Sequence, residues 1–88
     1  MKVLLHKKFL KDLAKLPESP RVEIEKLAFE TLLQTNKFSE IVIFEKMKGY
    51  KNYYKARFGN YRLGVKFEDE ILTFERVLHR KEIYRIFP

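Results

Sequence analysis

The sequence predicts an α+β domain: two N-terminal helices packed on one face of a small antiparallel β-sheet, with a short C-terminal helix or tail. Three observations predict it. Apolar residues recur at helical spacing between residues 7 and 34, with Pro17 dividing them into two runs. From Ile41 onward they fall into short runs rich in β-branched and aromatic residues, punctuated by Gly49, Gly59-Asn60 and Glu68-Asp69-Glu70. The 88 residues suit one domain, residues 1–88, with one modest core.

Lys2–His6 (KVLLH) reads as a short first strand. Phe9, Leu13 and Leu16, with Leu10 and Ala14 beside them, make Lys7–Lys15 an amphipathic helix that Pro17 ends. Ser19-Pro20 restarts a helix: Ser caps an orphan N–H and Pro suits the first helical position. That helix runs to about Gln34, and Asn36 is its stop. Its apolar set (Val22, Ile24, Leu27, Ala28, Phe29, Leu32, Leu33) wraps more than one stripe, so it needs cover on more than one side, from its own chain or a partner. Ile41–Met47 reads as a strand. Tyr53–Phe58 and Tyr61–Phe67 flank Gly59-Asn60, a two-residue hairpin signal. Ile71–Leu78 is the last strand, leaving Arg80–Phe87 for the C-terminal helix or tail.

The composition is 45% apolar and 15% aromatic, which argues against disorder although 35% of residues are charged. With no cysteine, disulfide frameworks, thiolate metal sites and cysteine nucleophiles are excluded. No apolar run reaches the roughly 18 residues of a membrane span, and no signal-peptide pattern opens the chain. A cytoplasmic domain without a membrane partner is expected. The net charge of +7 points to a polyanion. Residues 1–44 hold eight Lys or Arg against six Asp or Glu, and residues 45–88 hold eleven against six. Between Lys46 and Lys66 there are seven basic residues, no acid, and four of the five tyrosines.

Strand period two sorts these residues by face. Tyr54, Ala56 and Phe58, with Tyr61, Leu63, Val65 and Phe67, belong against the helices. Lys55, Arg57, Arg62 and Lys66 then converge on the uncovered face. Gly64 leaves a gap between the last two, either for a ligand or as a simple bulge. In the last strand Leu72, Phe74 and Leu78 read as inward, and Glu75 as the one acid facing the basic cluster. Cations beside aromatic rings suit phosphates and bases, and they also suit a plain solvated face.

The segment Lys48–Leu63 (KGYKNYYKARFGNYRL) resembles the "KG…YYR.R.G.YRL" core of the RelE/ParE toxin superfamily. Val77–Tyr84 (VLHRKEIY) is similar to its "V.HR..vY" ending, and Phe9–Leu16 (FLKDLAKL) to its first helix. The resemblance spans nearly the whole chain. It implies a toxin of a type II toxin–antitoxin system with a cognate antitoxin as partner. RelE-like members cleave mRNA in the ribosomal A site, using the 2′-hydroxyl as nucleophile. ParE-like members share the fold but poison DNA gyrase. By resemblance Lys55 takes the place of a general base and Arg57 that of a second lysine. Arg62 and Arg80 bind or stabilise the scissile phosphate, and Tyr84 stacks on a base. Lys48, Lys51, Lys66 and His79 are candidate RNA or phosphate contacts.

Such cleavage needs a base for the 2′-hydroxyl, charge stabilisation at phosphorus and a proton for the leaving 5′-oxygen. Lys55 is a poor base at its reference pKa of about 10.4, and Arg57, Arg62 and Lys66 are expected to lower it. Arginine is a poor acid, so Arg62 and Arg80 are expected to bind phosphate first, with Arg80 or His79 as proton donor. Tyr84 is equally suited to stacking and to anchoring the C-terminus in the core. The only histidines, His6 and His79, lie far apart in the sequence, and carboxylates show no ligand spacing, so no metal or small-molecule cofactor is expected. The expected activity is a metal-independent endoribonuclease acting with ribosome and mRNA. A gyrase inhibitor without nuclease activity and an inactive RNA-binding relative stand as alternatives.

Overall fold

The computed structural model describes Met1–Pro88. Five strands form one sheet: β1 (Lys2–Leu5), β2 (Glu45–Lys46), β3 (Tyr53–Phe58), β4 (Tyr61–Glu68) and β5 (Ile71–His79), in the order β1-β5-β4-β3-β2. Helices α1 (Lys7–Ala14) and α2 (Glu18–Lys26) follow β1, and α3 (Arg80–Ile86) follows β5. This is the expected α+β class. Strands β2 to β5 pair antiparallel, while β1 lies parallel to β5, so the sheet is mixed.

His6 caps α1, its Nδ1 accepting from the Lys8 N–H at 3.0 Å. Helix α2 begins two residues before the expected Pro20. Pro17, already extended, serves as its N-cap, and Pro20 falls in the first turn, where a missing N–H costs little. Ser19 therefore caps nothing. After Lys26 the helix widens to an i→i+5 turn over Leu27–Thr31 and tightens over Leu32–Gln34. The wide turn brings Leu27 and Leu32, five residues apart, to the same buried side. Val22, Phe29 and Leu33 stay outside, with Leu33 78% exposed, so this chain covers only one side of the helix.

The strand expected over Ile41–Met47 shrinks to Glu45–Lys46. Ile41 and Phe44, three residues apart, both pack against the main core, which a period-two strand cannot arrange, and Met47 belongs to a second cluster on the other face. Instead Phe38, on a short turn (Phe38–Glu40), stacks on Phe67 at 4.2 Å between ring centroids and meets Tyr54 edge-on. The β3–β4 hairpin is as predicted: Gly59 takes φ +62° at the first central position, the type II′ pattern.

A bulge between Gly64 and Val65 corrects the reading of β5. Leu72 and Phe74 face the main core as expected, but the register slips past Glu75. Val77 thus enters the core opposite Leu63, and Leu78 turns to the other face. The slip lies where β1 ends. There the Asp12 carboxylate replaces β1 as edge partner, accepting from the Val77 N–H at 3.2 Å and from Arg76 Nε at 2.7 Å. The main core packs Phe9, Leu13, Ile24 and Leu32 onto Ala56, Leu63, Val65, Leu72, Phe74 and Val77. A second cluster, Met47, Ile83 and Phe87 with Tyr53 and Leu78, seats α3 on the other face.

Candidate functional site

The sheet face opposite α1 and α2 carries the basic residues, and α3 covers only part of it. On this face Lys55 of β3 stands across from Gly64 of β4. Gly64 has no side chain because the Phe87 ring occupies that space: an added Cβ would lie 2.6 Å from two ring carbons. Of the two expected readings of Gly64, the bulge is present, between Gly64 and Val65, and the space a ligand would use is taken by the chain's own C-terminus. Ile83 and Phe87 are the buried anchors of α3, which leaves Tyr84 half-exposed over the strands.

There Lys55 Nζ donates to the Tyr84 hydroxyl at 2.9 Å, with the ammonium 4.9 Å from the ring centroid. The hydrogen bond from Lys55 is the main cause that lowers the Tyr84 pKa; burial opposes it, and the Lys55 and Arg62 charges add to the lowering. Lys55, Arg62 and Tyr84 are thus brought together. Arg62 Nη1 also donates to the carbonyls of Gly59 and Tyr61. The backbone N–H of Arg80 donates to Asn60 O at 2.8 Å, so the first residue of α3 is tied to the same hairpin tip. No carboxylate pairs with Lys55, Arg62 or Arg80.

Other expected residues are placed differently. Arg57 meets Glu45 at 3.5 Å, and Lys66 meets Glu68 at 3.2 Å. The stretch that is acid-free in sequence therefore receives a carboxylate from each flank. Glu68, through its hydrogen bond and then its charge, raises the Lys66 pKa, while Glu75 acts on it only as a weaker, more distant charge. Glu75, expected as the one acid facing the cluster, forms no ion pair with it; Glu45 and Glu68 do. His79 caps α3, its Nδ1 accepting from the Lys81 N–H at 3.2 Å, and its ring meets Tyr61 edge-on. Lys48 and Lys51 are exposed on the β2–β3 connection, outside the hydrogen-bonded group. No cluster of three or more His, Asp or Glu side chains could hold a metal ion. No helix is long and apolar enough to cross a membrane.

Sequence reasoning missed Glu45 and Glu68 as partners and Phe87 as the occupant above Gly64. Strand pairing supplies the first, since Glu45 lies opposite Lys55 and next to Arg57 across the β2–β3 pair. Nothing local signals the second, because residues 64 and 87 meet only through the fold.

The arrangement can bind a phosphate between unpaired cations, present an aromatic ring to a base and move a proton at a phenol oxygen. Residues 3–84 match the model of the family described as ParE toxin of the type II toxin–antitoxin system parDE. Over its full length the chain is 45% identical to Toxin RelE3 of Methanocaldococcus jannaschii, all of which is covered. The toxin of a RelB–RelE antitoxin–toxin complex from Methanococcus jannaschii superposes with a TM-score of 0.81 at 42% identity, over 97% of this chain and 99% of that one. For the toxin–antitoxin complex RelBE2 of Mycobacterium tuberculosis the TM-score is 0.68 at 26% identity, over 90% and 96%.

Proposed function

Because this chain belongs to the ParE toxin family of type II toxin–antitoxin systems, and is RelE-like within it, we propose that it is a ribosome-dependent endoribonuclease cleaving mRNA in the A site. The observation that carries this reading is the Lys55–Tyr84 hydrogen bond beside Arg62, a proton-transfer pair set among cations that no carboxylate neutralises.

The RNA 2′-oxygen attacks phosphorus, the bond to the 5′-oxygen breaks, and a 2′,3′-cyclic phosphate and a 5′-hydroxyl result. The 2′-hydroxyl proton passes to the Lys55–Tyr84 pair. Lys55 is the donor in that hydrogen bond, so the phenol oxygen is the partner made easier to ionise. Arg62 and Arg80 bind the phosphate and stabilise its added negative charge. The leaving 5′-oxygen takes its proton from Arg80, or from His79 once protonation at Nδ1 has displaced the Lys81 N–H and released the α3 cap. Lys48 and Lys51 extend the phosphate contacts along the strand connection. Arg57 and Lys66, each holding a carboxylate, contribute to binding only by exchanging that partner for phosphate. None of these steps calls on a metal or cofactor.

A cognate antitoxin is the expected partner. The exposed apolar residues Val22, Phe29 and Leu33 offer an amphipathic helix a seat, and an acidic segment suits the basic face. The test is to express the chain with and without its neighbouring reading frame and map mRNA 5′ ends. Codon-phased cuts that disappear in Arg62→Ala and Arg80→Ala variants, both still folded, are the expected result. DNA damage with intact mRNA would mark a gyrase poison and overturn the nuclease reading.

A further inference from the structure

A cleft between the start of α2 and the tip of the β3–β4 hairpin carries a chemistry unlike that of the basic face. Its volume is about 270 Å³. That is just under the roughly 300–1,000 Å³ of sites for drug-sized ligands, so it suits a single ring system. Phe58 and Tyr61, paired across the hairpin and packed toward the main core, form one wall. Pro17 and Pro20 form the other, and their rings fix the backbone before any ligand arrives.

The lining does not suit a phosphate. In a chain with 19 Lys and Arg, none lines this cleft, and its one charged residue is the acid Glu23. No cation of the molecule pairs with Glu23. Neither Glu23, the Ser19 hydroxyl nor the Asn60 amide makes an internal hydrogen bond. An ionised carboxylate only accepts, so the matching ligand is a flat, uncharged group that donates. Unpaired RNA bases are read in this way, stacked on aromatic rings and hydrogen-bonded along their edges.

The hairpin tip joins this cleft to the phosphate site. The Gly59 and Tyr61 carbonyls hold Arg62 Nη1, and the Asn60 carbonyl holds the Arg80 N–H. The Tyr61 ring also meets His79. A strand whose phosphate lies between Arg62 and Arg80 therefore has the cleft within reach of a neighbouring base, just over the tip.

We propose that the cleft takes one unpaired base next to the cut, and that Glu23 selects bases with an exocyclic amino group over uracil. This deepens the nuclease reading above and rests on it. Adenine, cytosine and guanine each offer amino N–H donors to the carboxylate. Uracil offers one ring N–H, set between two carbonyl oxygens that repel it. Ser19 and Asn60 donate to the ring acceptors beside the amino group.

The experiment uses the intact chain with ribosomes programmed by short mRNAs that differ one base at a time across the A site and its flanks. Single-turnover cleavage rates are measured. For the wild type, uracil at one fixed position should slow cleavage roughly tenfold, within what one side-chain contact to a base discriminates. Glu23→Gln, whose amide both donates and accepts, should erase that difference. Glu18→Gln removes the same charge from the same helix outside the cleft and should behave like the wild type. Both positions are exposed, and thermal unfolding checks that both variants fold. An unchanged base preference in Glu23→Gln, with cleavage intact, would overturn the subsite and leave the nuclease reading standing. The same change of preference in Glu18→Gln would mark a general effect of charge and also overturn the subsite. A wild type that cuts no ribosome-bound mRNA would overturn the nuclease reading and the subsite together.

Discussion

The Phe87 ring fills the space that a side chain at Gly64 would need, so the C-terminus is seated by an absence in β4. Tyr84 lies one helical turn before that seat, and its half-exposed ring depends on it. Gly64→Ala would place a Cβ 2.6 Å from the Phe87 ring, and the ring must leave or the strands must part. We expect a loss of about 1–3 kcal/mol, typical of overpacking, with the main core intact. Urea unfolding would measure it. Limited proteolysis should show α3 cut faster than the rest, and cleavage activity should fall with it. Unchanged proteolysis at α3 would refute the coupling.

The Asp12–Arg76 pair should be the most sensitive polar site in the fold. The two side chains are 11% and 22% exposed, the contact is bidentate, and the same carboxylate serves the Val77 N–H beyond the end of β1. The Asp12 hydrogen bond is the main reason the Arg76 pKa is raised, so Arg76 stays charged throughout the accessible pH range. Asp12→Ala leaves that charge and a strand N–H without a partner and should cost about 3 kcal/mol. Asp12→Asn keeps an acceptor and should cost less. Chemical denaturation of both variants checks the order; equal losses would show that the hydrogen-bond acceptor does not matter.

Residues close in sequence carried their own evidence. The Gly59-Asn60 turn, the helical spacing of Phe9, Leu13 and Leu16, and the alternation of Lys55, Arg57, Arg62 and Lys66 all depend on neighbours within a few positions. What sequence could not reveal depends on pairing across the sheet. Glu45 and Glu68 reach Arg57 and Lys66 only after register is set. The slip opposite Gly64 exchanges Val77 and Leu78 between faces, and a strict period of two cannot anticipate it. Ile41–Met47 misled because its apolar content suits a strand, while Ile41 and Phe44, three residues apart, pack on the same core.

The turn between β4 and β5 can be improved. Asp69 and Glu70 both take positive φ, +54° and +62°, the type I′ pattern that favours Asn-Gly. A left-handed glutamate costs about 1–2 kcal/mol, and glycine would remove this while adding some unfolded-state entropy. Glu70→Gly should therefore stabilise the domain by about 0.5–1 kcal/mol, and it leaves Lys55, Arg62 and Tyr84 untouched. Thermal unfolding checks it; a lower midpoint would mean that the Glu70 side chain makes a contact outweighing the strain.

The ionisation of Tyr84 gives the most direct view of the basic sheet face. Its pKa is lowered chiefly by the hydrogen bond from Lys55, with the Arg62 charge contributing less. One of the five tyrosines, Tyr84, should therefore form phenolate below the ordinary phenol value of about 10. Tyr84→Phe should remove that early transition from the ultraviolet absorbance titration. Lys55→Met should move it to higher pH, and Arg62→Met should move it less. The linkage follows the sign of the shift. A phenol easier to ionise when folded adds stability above its unfolded pKa, and that stability is lost as pH falls through the folded value. If the phenolate accepts the 2′-hydroxyl proton, single-turnover cleavage should rise with pH up to the Tyr84 transition and then level. Lys55→Met should shift that rise upward in parallel with the absorbance. Five tyrosines titrating together would refute the Lys55–Tyr84 pair. An early transition with a flat rate profile would leave the pair in place but remove it from proton transfer.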